Sequence, residues 1–130
     1  MANVNDGDEK YPQQALTREI IAAAYEVHGE LGGGFLEKVY ESALVIELTG
    51  RGLKVMPQAQ IEVQYKDDIV GTYYADLLVN DAVICEIKAV SAIASAHQAQ
   101  LLNYLKATGK KVGLLLNFGA KRVDVKRMVF

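Results

Sequence analysis

The chain has 130 residues, 51% hydrophobic and 23% charged, with a formal net charge of −2. That length supports one core and no second domain, and the composition is ordinary for a globular fold. The weak negative charge argues against a strong, indiscriminate nucleic-acid binder, and a single cysteine excludes an internal disulfide and any multi-cysteine zinc site.

Residues 1–15 are polar, acidic and carry Pro12, so they are expected to form a flexible arm ahead of a single domain over 16–130. No basic-apolar leader opens the chain and no apolar run approaches a membrane span, so a cytoplasmic protein without membrane contact is expected. Thr17 suits a helix N-cap, and Ile20, Ala24, Val27, His28 and Leu31 recur at helical spacing, giving a first amphipathic helix over 18–31. His28 on that stripe reads as a hydrogen-bonded packing histidine rather than a ligand. Gly32-Gly33-Gly34 ends the helix; with no preceding strand and no Walker lysine it is not a phosphate loop. A second helix follows over 36–49, burying Leu36, Val39, Tyr40, Ala43, Leu44 and Leu48, with Glu37, Tyr40, Glu41 and Leu44 along one edge. Glu37 in its first turn is favoured by the helix dipole in any case.

Leu53 to Met56 is extended, and Pro57 suits an edge strand. Ile61, Val63 and Tyr65 alternate with polar residues as a half-buried strand, Lys66-Asp67-Asp68 turns, and Ile69 to Val79 returns, with Gly71 marking a bulge. Val83 to Lys88 then enters the centre of the sheet. In this apolar hairpin the polar exceptions are Asp76, Glu86 and Lys88, which are costly unless paired or bound to a metal. Residues 86 and 88 share a strand face. A two-residue loop on Asn80-Asp81 pairs 76 with 85; a three-residue loop through Ala82 pairs 79 with 83 and sets Asp76 opposite Glu86. Two carboxylates beside an ammonium suit a hard divalent cation and a phosphate oxygen. Cys85, mid-strand among apolar residues, reads as an inert core thiol.

Ser95 suits the N-cap of a third helix, whose Leu101, Leu102 and Leu105 face the sheet. His97, Gln100 and Tyr104 fall on one face of it, either as the wall of a site or as an exposed helix side. Gly109 ends the helix, Val112 to Asn117 is a buried strand, and Val123 to Phe130 is a last, edge-like strand. From Lys106 onward the basic residues Lys106, Lys110, Lys111, Lys121, Arg122, Lys126 and Arg127 face Asp124 alone, so they form either a phosphate-facing patch or a solvated surface. An exposed terminal edge strand offers pairing with another copy, so a homo-oligomer or a larger assembly is among the expected partners.

The pattern Asp76, then Glu86-x-Lys88, resembles the PD-(D/E)XK nuclease superfamily, with Ala75 where that name has Pro. Gln100-Leu101-Leu102-Asn103-Tyr104 is similar to the Q-x-x-x-Y helix of its RecB-like and lambda-exonuclease-like branch. Gly34-Phe35-Leu36-Glu37-Lys38-Val39-Tyr40 matches the signature of the small bacterial GxxExxY proteins, and the resemblance runs from about Leu16 to Phe130. It implies an α/β (α+β) fold: a mixed sheet of about five strands with flanking helices, the restriction-endonuclease-like α-β-β-β-α-β core plus an extra N-terminal helix. The implied activity is a nuclease using Mg2+ or Mn2+ on nucleic acid, with DNA favoured over RNA. Asp76, Glu86 and the Ile87 carbonyl would hold the metal, with Glu37 contacting it through water or holding a second ion. Lys88, Gln100 and Tyr104 would complete the catalytic set, Tyr40 and His97 standing as accessory candidates. Lys106, Lys110, Lys111, Lys121 and Arg122 are candidates for nucleic-acid contact. The alternative is a catalytically inactive interaction or regulatory module on the same fold, in which Asp76, Glu86 and Lys88 are an ion-pair network.

Overall fold

The computed structural model describes residues 12–130. Three helices, α1 (Gln14–Leu31), α2 (Glu37–Gly50) and α3 (Ser95–Thr108), flank a sheet of β1 (Val55–Tyr65), β2 (Asp68–Val79), β3 (Val83–Lys88), β4 (Val112–Asn117) and β5 (Asp124–Val129). The strands lie in sequence order, antiparallel except for β3 and β4, which are parallel and joined through α3. This is the expected mixed five-stranded α+β architecture. Pro57 falls on an edge strand, where its missing N–H leaves no ladder bond unmade. The expected arm falls mostly on residues outside those described, while α1 begins at Gln14, ahead of the expected start at 18.

Two cores sandwich the sheet. One packs α1 and α2 (Ile20, Ala23, Val27, Tyr40, Leu44, Leu48) on Leu77, Val79, Cys85, Ile87 and Leu114. The other packs α3 (Leu101, Tyr104, Leu105) on Ala59, Ile61, Ala75, Ile84 and Leu115. Ala75 and Leu77 are two apart and should share a face, yet they join different cores. The switch occurs at Asp76. The ladder with β1 skips from Leu77–Pro57 to Ala75–Ala59 there, and Gln58, opposite Asp76, has φ 50°, a conformation that breaks the pleat. At the same level β2 leaves β3: their ladder ends at Leu77–Cys85. Further out, the β1–β2 hairpin runs on alone past a register shift beside Gly71, where a bulge is expected.

Three local expectations are corrected. Thr17 is not the N-cap of α1; it lies inside the helix, where its Oγ1 donates to the Gln14 carbonyl and accepts from Arg127. Ser95 is likewise inside α3, whose N-cap is Ala94. Leu36 and Val39 are exposed rather than buried, because the stripe of α2 that meets the core is Tyr40–Leu44–Leu48.

Candidate active site

The Val79–Val83 register sets Asp76 opposite Glu86, the three-residue alternative of the sequence reading. Asn80 and Asp81 both have positive φ, 52° and 55°, and the Ala82 N–H donates to the Val79 carbonyl at 3.0 Å, leaving Ala82 as the extra loop residue that shifts the register. Where the ladder stops, side chains take over its hydrogen bonds. The Asp76 N–H donates to Glu86 Oε2 at 2.8 Å, and the Ile87 N–H donates to Asp76 Oδ2 at 2.8 Å. These crossed bonds fix both carboxylates in the gap and engage one oxygen of each. In an extended strand the N–H and C=O of one residue project to the same edge, so the Ile87 carbonyl also faces the parted side. Its neighbour Lys88 instead turns its carbonyl toward β4, accepting from the Phe118 N–H at 2.8 Å.

The electrostatics follow from burial. Glu86 is 8% exposed, and loss of solvation, with Asp76 beside it, pushes its carboxyl up to about 8, against the opposing pull of the Asp76 N–H and Lys88. Asp76 is also raised, first by burial; the Ile87 N–H and Lys88 oppose this, while Glu41 and more weakly Glu37 add to it. Lys88 acts at a distance: among the described residues it makes no ion pair with either carboxylate. Lys88 therefore offsets the two carboxyls only from a distance, without the direct ion pairs that the alternative reading expects.

From the α3 side, Gln100 Nε2 donates to the Tyr104 hydroxyl at 2.9 Å, and the Tyr104 ring packs on Tyr73 with centroids 5.8 Å apart. Burial raises the Tyr104 hydroxyl's pKa, and the negative field of Glu86 and Asp76 adds to that despite the Gln100 bond.

A family model of the PD-(D/E)XK nuclease superfamily matches residues 14–128, nearly the whole chain. The chain belongs to the PD-(D/E)XK nuclease superfamily. A solved structure described as the crystal structure of SSO0001 is similar to it, with a TM-score of 0.58 and 17% identity over 93% of this chain and 61% of that one. At that identity the likeness is one of fold, and the chain spans about three fifths of the SSO0001 structure. No curated protein matches the sequence.

Set in the superfamily's frame, the expected site residues divide. Asp76, Glu86, Ile87 and Lys88 meet at the strand gap, with Gln100 and Tyr104 on the α3 side. Glu37 does not join them closely: it is exposed, and no group of three acidic, histidine or cysteine side chains able to hold a metal occurs among the described residues. Glu41, one turn further along α2, is the acid that sequence reasoning left out. It is buried and accepts from Lys38 Nζ at 3.2 Å and from Gln58 Nε2 at 3.0 Å, which ties α2 to the kinked position opposite Asp76. Its place on the same helix edge as Glu37 and Tyr40 was the available signal.

The accessory candidates make local contacts. Tyr40 is fully buried, stacks on Phe118 with centroids 4.7 Å apart, donates to the Gly32 carbonyl and accepts from the Phe35 N–H, so it clasps the glycine turn. His97 Nδ1 accepts from the Ala94 N–H at 3.0 Å and caps α3. His28 is the packing histidine expected, with Nε2 at 3.2 Å from the Ala120 carbonyl. Cys85 is buried, and burial raises its thiol's pKa.

The basic patch does not form as one surface. Lys110 pairs with Asp81 at 3.3 Å, and with Lys111 it lies at the Val83 end of the sheet. Lys121 and Arg122 follow Asn117 at the other end of β4, the Lys88 end, about 17–20 Å away at strand spacing. Arg127 binds Thr17 and the Pro12 carbonyl. Lys106 alone of the set lines a groove with Gln100 and Tyr104. A second missed residue, Asn117, is fully buried and binds both the N–H and the C=O of Val90, fixing the loop that follows Lys88. Gly119 packs against that loop so closely that any Cβ would collide with the Val90 backbone.

Proposed function

We propose that the chain is a metal-dependent nuclease that hydrolyses phosphodiester bonds, with DNA as the favoured substrate. The observation that carries this reading is the crossed pair of hydrogen bonds between Asp76 and the Glu86–Ile87 segment. It engages one oxygen of each carboxylate and leaves the other without a hydrogen bond beside the Ile87 carbonyl where β2 and β3 part, with Lys88 making no ion pair among the described residues. That donor set of two carboxylates and a carbonyl fits Mg2+ or Mn2+, hard ions that keep several waters and take the remaining ligands from substrate phosphate. Such an ion supplies a bound water of lowered pKa and neutralises charge on the phosphate. Lys88, held at the end of β3, directs its ammonium at the negative charge that develops on the phosphate oxygens. The Gln100 amide, oriented by Tyr104, donates to the attacking water or to a phosphate oxygen. Glu41 and Glu37 add negative potential from the α2 side, which favours a cation in the gap.

The Gly34–Glu37–Tyr40 and Gln100–Tyr104 motifs support placement near the GxxExxY proteins and the RecB-like branch. The lack of an ion pair at Lys88 among the described residues weighs against the inactive-module reading, whose charged cluster would be neutralised internally. The test is manganese-dependent cleavage of a mixed set of labelled DNA and RNA, single and double stranded. Cleavage by the parent and none by Lys88→Ala is expected; a folded, metal-binding parent that cuts none of them overturns the proposal.

A further inference from the structure

Beyond Leu77 the outer half of the β1–β2 hairpin has no β3 beside it, and an open groove of about 510 Å3 lies between it and α3. Gln64 and Tyr73 line it from the hairpin, and Gln100, Asn103, Tyr104 and Lys106 from the helix. The groove is continuous with the candidate site, since Gln100 and Tyr104 belong to both. Tyr73 is held on one side by Tyr104 and remains 45% exposed, so its position is set before any ligand arrives. Gln64 and Asn103 carry amide donors and acceptors of the kind that match base edges, and Lys106 is the cation of the groove. Glu62 also lines it, with its carboxylate accepting from Gln60 Nε2 at 3.2 Å, so one wall disfavours phosphate while the Lys106 wall favours it.

Resting on the nuclease reading above, we propose that this groove binds one or two unpaired nucleotides next to the scissile phosphate, with a base stacked on Tyr73 and the backbone along Lys106. Its volume is that of a small-ligand pocket, too small for a duplex. Proteins hold single strands by stacking bases on aromatic side chains beside cationic groups that track the backbone, and here Tyr73 supplies the platform and Lys106 the cation. This fits a chain of net charge −2 in which Lys110 and Lys111 lie at one end of β4 and Lys121 and Arg122 at the other. The substrate class is therefore a single strand, or a duplex with an unpaired end.

The test is fluorescence anisotropy of a labelled 12-mer oligo-dT and of a 12-base-pair duplex, in EDTA so that no strand is cut. The full chain is compared with Tyr73→Ala, Tyr73→Phe, Asn103→Ala and Tyr74→Ala, each checked for folding by its thermal melt. Tyr74, 53% exposed on the opposite face of the strand, is the control. The parent should bind the single strand more tightly than the duplex. Tyr73→Ala should lose about tenfold in single-strand affinity, within the range for one base–aromatic stack. Asn103→Ala should also bind more weakly, while Tyr73→Phe and Tyr74→Ala should bind as the parent does. No single-strand binding, a preference for duplex, or unchanged affinity in Tyr73→Ala overturns the proposal; if Tyr73→Ala does not fold, unchanged affinity in Asn103→Ala does so. The same oligonucleotides are then assayed with manganese. Tyr73-dependent binding with no cleavage sinks the nuclease reading and leaves the groove standing. Cleavage by the parent with binding indifferent to Tyr73 does the reverse.

Discussion

At its turn end the β2–β3 pair is an ordinary antiparallel ladder of buried apolar residues, with Leu77, Val79, Val83 and Cys85 all fully enclosed. One residue further from the turn the two strands part, and the gap is bridged by the carboxylates of Asp76 and Glu86 on backbone N–H groups. The turn end is held by burial, at about 25 cal/mol per Å2 of apolar surface. The parted end is held by hydrogen bonds to charged groups that burial disfavours. Stability is thus concentrated at one end and chemical reactivity at the other, and substitutions should separate the two.

The largest stability loss belongs to the turn end. Leu77→Ala leaves a cavity between β2 and the α1–α2 layer and should cost about 2–5 kcal/mol in urea unfolding. Asp76→Asn next to it should cost far less.

The second effect is a pH dependence confined to the parted end. Glu86 has an ordinary value of 4.5 when unfolded and about 8 in the folded chain. Between those values the folded state holds a proton that the unfolded state has released, so stability falls as pH rises from about 4.5 to about 8 and is flat above that. The loss should be on the order of 2–4 kcal/mol. Glu86→Gln should remove most of this slope, leaving the part that the raised Asp76 carboxyl contributes, and be the more stable protein at pH 9 without metal, as melts across pH would show. Metal affinity should run the other way, rising up to about pH 8 as the competing proton leaves.

A smaller effect separates fold from site within the Gly34–Glu37–Tyr40 motif. Tyr40→Phe removes a buried hydroxyl that makes two hydrogen bonds at the glycine turn, and should cost about 1–2 kcal/mol in urea unfolding. Metal affinity should be unchanged, because Tyr40 lies in the core rather than the gap.

How far the sequence carried differs between the same two ends. The sheet and its edges were legible because alternation, Pro57 and the Asn80–Asp81 turn are local signals, and the 79–83 register was one of the two that counting across that turn left open. What lay at the parted end was only half legible. The switch of faces at Asp76 depends on Gln58 adopting positive φ in a strand position, which no local rule anticipates, and on Glu41 reaching it from a helix. Period-three-to-four spacing placed Glu37, Tyr40 and Glu41 on one edge but could not fix the roll of α2. That roll carries Glu41 inward, leaves Glu37 exposed and buries Tyr40. The basic residues looked like a patch because sequence proximity hides that β4 separates them.

The smallest predicted stability change is that of Lys88→Ala. With no ion pair to lose among the described residues, it should lie within about 0.5 kcal/mol of the parent, against the loss of about 3–5 kcal/mol expected on breaking a fully buried pair. A large loss would return the site to the ion-pair reading.

The central claim is that the gap between β2 and β3 is a cation site, and isothermal titration of magnesium and manganese into the parent and Glu86→Gln at pH 8 tests it most directly. Stoichiometric binding in the micromolar to millimolar range by the parent, lost in a folded Glu86→Gln, is the predicted result. A parent with no stoichiometric heat for either metal, or a variant that binds as the parent does, contradicts it.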